Sequence, residues 1–221
     1  LPPHHPYNPR HEFIGKFNDA WEPVTKPLTP FSQQHSEEHV LSKRRMYDEY
    51  LSYTDAEFGR LYEALLSSGL MDRTTLVVTS DHGELFERGI VGHTTEVLYD
   101  PVVRVPMLIS EPGQTEQKDI RTPTASIDVL PTLLQRAGQP VPDWCEGSVL
   151  PGFDGATEDP HRSIYLIEAK RNSSFGPLTI GTFSLIKGNY KLIYYRGYPR
   201  YDEQYELYDL QEDPEELTDL Y

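Results

Sequence analysis

Apolar side chains first recur with a steady period at Val40, Tyr47, Leu51, Thr54, Phe58, Leu61 and Leu65. Spacings of three, four and seven put these positions on one face of a helix, and they predict a long amphipathic helix ending near Gly69. Ser36 stands where a cap is expected. Glu37 and Glu38 fall in the first turn, where the helix dipole favours negative charge. Ahead of this helix, prolines at 2, 3, 6, 9, 23, 27 and 30 exclude a continuous helix, so residues 1–35 read as an extended segment laid over a surface. Behind it, the run Leu76, Val77 and Val78 predicts a short strand buried on both faces, which stops at Ser80-Asp81-His82-Gly83. A second apolar run, Val102 to Ile109, is broken by Arg104 and Pro106. Ile127, Leu130, Leu133 and Leu134 then return to helical spacing, with Gly138 as a stop.

Residues 139–160 carry clustered Pro and Gly and read as loop. Past His161 the texture changes. The stretches RSIYLIEA, GTFSLIKGNYKLIYY and EQYELYDL read as short strands, with Lys187-Gly188-Asn189-Tyr190 as a hairpin turn. Glu212 to Leu217 is expected to start a terminal helix. The whole predicts an α/β portion over residues 1–160, followed by a small antiparallel α+β portion over 161–221.

The charge balance narrows the partners. The 221 residues hold 35 acidic and 20 basic side chains, a net charge of −15. Such a surface repels phosphate backbones and argues against nucleic-acid binding, although a metal or a few bases can reverse the field inside one pocket. No stretch approaches the roughly 20 apolar residues of a membrane span. Cys145 is the single cysteine, so no internal disulfide can form. The chain opens on Leu1 without a targeting pattern, and this predicts a piece of a longer protein.

The chemistry concentrates at Asp81-His82-Gly83-Glu84. A carboxylate and an imidazole side by side at a strand end can both reach one cation, and Gly83 allows a tight turn there. Gly92-His93 follows a short loop later, and Pro3-His4-His5-Pro6-Tyr7 lies near the start. The other candidates have plainer readings. Glu84, Glu87 and Arg88 read as a solvated first turn, Arg104 as a loop anchor, and His11, His35 and His39 as surface residues. The tyrosines between 190 and 208 read as strand packing, and the terminal acids as a solvated face.

Six segments in order resemble the sulfatases of the alkaline-phosphatase-like superfamily, over nearly the whole chain. They are PHHPY at 3–7, the stretch from Tyr47 to Glu84, GHTTEVLYDPVVRVPMLISEPG from Gly92, ASIDVLPTLLQRAG from Ala125, CEGSVLPG, and the closing YKLIYY with YELYDLQEDPEEL. The resemblance implies an α/β, alkaline-phosphatase-like sandwich, present in part, with a small C-terminal antiparallel α+β subdomain. It makes Asp81 and His82 metal ligands and His4 a hydrogen-bond donor to the sulfate, with His5 in reserve one register away. His93 falls near the basic residue that contacts an ester oxygen. It implies a divalent metal, calcium first and zinc or manganese as alternatives, and a sulfated small molecule or glycan as substrate. It also implies a periplasmic, secreted or lysosomal setting.

The family's nucleophile, a cysteine converted to formylglycine within C-x-P-S-R, and its paired N-terminal aspartates are absent from this sequence. Cys145 sits in W-C-E-G-S-V and reads as structural. The nucleophile and the second carboxylate pair are therefore expected in a segment before Leu1. Three functions stay open: a sulfuric ester hydrolase completed by that segment, a phosphonate or phosphate (di)ester hydrolase of the same superfamily, and a truncated relative without activity.

Overall fold

The computed structural model describes residues 3–18, 23–157 and 159–221. They divide into two compact units, Leu1–Thr115 and Glu116–Tyr221. Helix and antiparallel strands are mixed, and every strand pair in the described residues is antiparallel.

The first unit is organised around helix α1, Glu37–Ser67. Its start follows from Ser36, whose hydroxyl accepts the amide of His39 and satisfies one of the free donors of the first turn. The apolar stripe is covered only in part. Val40 is buried and Tyr47 packs against Phe86, but Leu51 and Leu61 remain exposed. Strand β1, Leu76–Thr79, is half-buried rather than enclosed on both faces. It pairs with one strand, β4 (Met107–Ser110), and has no second neighbour among the described residues. Between them lie the hairpin of β2 (Leu85–Glu87) and β3 (Ile90–Gly92) and a single helical turn, α2 (Asp100–Val103). Arg88 and Gly89 both adopt left-handed backbone, the conformation a two-residue hairpin turn needs. Glu84, Glu87 and Arg88 are thus not a solvated helical turn. Glu87 pairs with Lys26 at 2.7 Å, and the buried Arg88 lies over the Tyr99 ring at 4.2 Å. The Arg104 side chain, 82% exposed, pairs with Asp100 at 3.7 Å.

The second unit joins helix α3, Val129–Arg136, to a four-stranded sheet. Its strands run in chain order: β5 (Ile164–Glu168), β6 (Gly181–Lys187), β7 (Tyr190–Arg196) and β8 (Gln204–Asp209). The β6–β7 connection is the two-residue turn Gly188-Asn189. Residues 116–160 fall in this unit with the sheet, so the division lies before them and not at 160. The clasp is Asp128, completely buried, which takes the backbone amides of Ala125 and Ser148 at 2.8 Å and both guanidinium nitrogens of Arg162. No helix follows β8. The Asp213 carboxylate accepts the amides of Leu217 and Thr218, and Pro214 has no amide hydrogen to contribute, so this stretch closes as a turn. Of the tyrosines between 190 and 208, Tyr195, Tyr198 and Tyr208 are buried, whereas Tyr190 is exposed. In the described residues no helix is long and apolar enough to cross a membrane.

Candidate active site

The end of β1 is held by short polar contacts. The Ser80 hydroxyl donates to the carbonyl of His82 at 2.6 Å, and the His82 amide donates to Asp81 Oδ1 at 3.1 Å. The Gly83 amide donates to the carbonyl of Val102 at 2.7 Å, tying this corner to α2. The approach is so close that a Cβ on residue 83 would lie 2.0 Å from the Pro101 carbonyl oxygen. Gly83 therefore serves close backbone packing rather than a left-handed turn, since its φ is not positive.

Three imidazoles meet beside this corner. His82 and His93 stack with ring centres 3.8 Å apart and planes 25° apart. The His4 ring stands edge-on, 4.9 Å from His93 and 6.4 Å from His82. His5 turns elsewhere and packs against Tyr7 at 5.3 Å. His35 and His39 stack on each other, His11 is exposed, and Cys145 lies in the second unit.

In each of the three rings Nδ1 faces an oxygen. His4 Nδ1 lies 2.7 Å from the His5 carbonyl, His82 Nδ1 lies 2.9 Å from the Gly83 carbonyl, and His93 Nδ1 lies 2.8 Å from Glu84 Oε1. A carbonyl oxygen only accepts, so in His4 and His82 Nδ1 carries the hydrogen and Nε2 is the nitrogen available to a ligand. His82 Nε2 lies 3.8 Å from Asp81 Oδ1, and the Asp81 side chain is 88% exposed. An imidazole nitrogen and a carboxylate oxygen side by side suit a divalent cation as two of its ligands. No three His, Cys, Asp or Glu side chains among the described residues are grouped to hold a metal ion by themselves.

Glu84 is the residue the sequence did not reveal. Its side chain is 4% exposed and bonded to His93. The reason lies in the hairpin register: Leu85 opposes Gly92, so one step further brings residue 84 opposite residue 93. Beneath it, Tyr7 is buried against Tyr47 and Phe86. Burial first, and then the charge of Glu84, push the Tyr7 phenol far above its ordinary value, so its proton stays on. The turn Glu87-Arg88-Gly89-Ile90 between alternating residues was the signal that would have exposed this pairing.

Comparison with known proteins agrees over the whole chain. The sulfatase profile matches residues 1–139, and a profile described as N-sulphoglucosamine sulphohydrolase, C-terminal, matches residues 93–221. A choline-sulfatase of Rhizobium meliloti (strain 1021) is 31% identical, aligned over 99% of this chain and 44% of its own. Arylsulfatase K of Bos taurus is 29% identical over 91% of this chain and 37% of its own. Among solved structures, the phosphonate monoester hydrolase SpPMH from Silicibacter pomeroyi superposes with a TM-score of 0.68 at 27% identity, covering 82% of this chain and 37% of that one. A Bacteroides thetaiotaomicron protein from glycosaminoglycan metabolism gives a TM-score of 0.73 at 19% identity, covering all of this chain and 48% of that one, a likeness of fold. The chain spans less than half the length of each of these relatives.

Proposed function

Because the chain belongs to the sulfatase family, we propose that it forms part of a longer sulfuric ester hydrolase, built on an alkaline-phosphatase-like α/β sandwich and acting on a sulfate ester of a carbohydrate. The observation that carries this reading is the convergence of His4, His82 and His93 at the end of β1 beside Asp81.

The roles follow from elementary chemistry. Cleaving a sulfate ester builds negative charge on the peripheral oxygens and on the leaving oxygen. Asp81 Oδ1 and His82 Nε2 would hold a divalent cation, calcium in this reading with zinc or manganese as alternatives, which supplies positive charge against that anion. His82 is oriented for this by its own Nδ1–H on the Gly83 carbonyl, so the ring cannot turn its lone pair away. His4 and His93 present Nε2 to the ester. A charged ring donates a hydrogen bond to a peripheral oxygen or gives its proton to the leaving oxygen. The nucleophile, formylglycine in this reading, and the remaining carboxylates belong to the part of the protein beyond this chain.

A second reading, phosphonate monoester hydrolysis on the same corner, is favoured by the superposition on SpPMH. One assay separates the two: the longer protein is offered an aryl sulfate and an aryl phosphonate monoester in parallel. The sulfatase reading expects the sulfate to be cleaved at the higher kcat/KM, with His82→Ala removing at least about a hundredfold of it. Preference for the phosphonate overturns it in favour of the second reading. Turnover of neither marks a relative without activity. The 221-residue chain alone is expected to cleave neither.

A further inference from the structure

Glu84 combines three properties that a solvated hairpin residue lacks. Its side chain is almost fully enclosed, it lies beside the buried Tyr7, and its carboxylate meets the ring nitrogen of His93 at 2.8 Å. His93 in turn touches both other rings of the cluster. We propose that Glu84 is a positioning residue that fixes His93 with its hydrogen on Nδ1 and turns Nε2 away from the hairpin, toward whatever the cluster binds.

A carboxylate beside Nδ1 accepts in either protonation state of the ring, so Nδ1 keeps its hydrogen throughout. Nε2 is then the nitrogen left to face a ligand. The cross-strand position of residues 84 and 93 makes the orientation cheap to maintain, because both side chains leave neighbouring strands of one hairpin. The stack on His82 restrains the ring from the other side. Together, two contacts fix both the plane of the ring and the direction of its free nitrogen. That a sulfate oxygen is what Nε2 meets rests on the function proposed above; the state of the ring does not.

The test is nuclear magnetic resonance on the 221-residue chain, with imidazole nitrogens labelled and two-bond proton–nitrogen correlations recorded where the rings are neutral. His93→Gln identifies the ring's signals by their disappearance. The expected result is Nδ1 protonated and Nε2 bare in the wild-type chain. Glu84→Leu, close in volume and unable to accept, is expected to shift the ring toward the Nε2–H form. A wild-type His93 already in the Nε2–H form overturns the proposal, and this measurement needs no variant to fold. A Glu84→Leu chain that keeps the Nδ1–H form overturns it equally. The readout uses no substrate, so a longer protein that cleaves no sulfate ester would remove the proposed function and leave this result standing.

Discussion

In the second unit the Asp128 carboxylate is completely buried, and both of its oxygens are occupied: two backbone amides and two guanidinium nitrogens point at them. Lys191 and Glu216 are paired at 2.7 Å with almost no exposure, and Glu206 collects the hydroxyls of Tyr195, Tyr201 and Tyr208. Around Tyr201, burial and then the charge of Glu206 push the phenol up to about 12. In the first unit, by contrast, each clustered imidazole has Nδ1 facing an oxygen while Nε2 makes no hydrogen bond among the described residues, and the Asp81 side chain is exposed. Buried charge that is fully paired fixes structure, whereas polar atoms positioned but left incomplete are what a ligand can use. The difference teaches which polar groups to read as chemistry. The criterion is the valence left over, not burial or charge alone.

The strongest way to break this contrast is at Gly83. Alanine there sets a Cβ 2.0 Å from the Pro101 carbonyl oxygen, and a backbone atom cannot swing aside as a side chain would. Gly83→Ala is expected to destabilise the first unit by about 4 kcal/mol in urea unfolding and to abolish the His82–His93 stack. An alanine variant of wild-type stability that keeps the stack would show that the corner is not rigid.

Asp128 tests the other side. Asp128→Ala removes one partner of a buried ion pair and strands two amides, at a cost of about 3 kcal/mol, the low end for such pairs because Arg162 remains partly wet. The acid dependence carries a sign. Burial raises the Asp128 carboxyl, but the hydrogen bonds from Arg162, Ala125 and Ser148 outweigh it and hold the group below its usual value. A depressed folded value adds stability that is complete above the unfolded carboxylate value, about 3.9, and is lost as pH falls through the folded one. The stability gap between wild type and Asp128→Asn, measured by urea unfolding, should thus be constant from about pH 5 to 8 and shrink below about pH 4. A gap that widens in acid would reverse the assignment.

Much of this contrast was legible in the sequence where the signal is local. The Ser36 cap, the period of α1, the stop at Gly138 and the Gly188-Asn189 turn each depend on a few adjacent residues, and the structure has them. The pairing of Asp81 with His82 was equally local, as was their place after a strand. What stayed hidden depends on partners far along the chain. Glu84 looked solvated because its burial comes from Tyr7 and His93. Residues 116–160 looked like part of the first portion because the Asp128–Arg162 clasp spans 34 positions. The strand at Leu76 looked enclosed because an apolar run states what a strand can bury, not what lies against it. The expected terminal helix is replaced by a turn for a local reason: the Asp213 carboxylate accepts the Leu217 and Thr218 amides.

The smallest effect sharpens the contrast most. His82 is about one-third exposed and spends one hydrogen bond on a neighbouring carbonyl. Removing it leaves the Gly83 carbonyl within reach of water, and takes away a ring contact with His93 that draws two polar groups together. The loss of packing and the relief of crowding oppose each other, so His82→Ala is expected to change the unfolding free energy by no more than about 0.5 kcal/mol. Measured in the same urea titration as Asp128→Ala, it should leave the midpoint nearly where the wild type has it. A loss approaching the Asp128 value would mean that His82 holds the fold together, and the leftover valence at Nε2 would then no longer distinguish the corner at β1 from the clasp in the second unit.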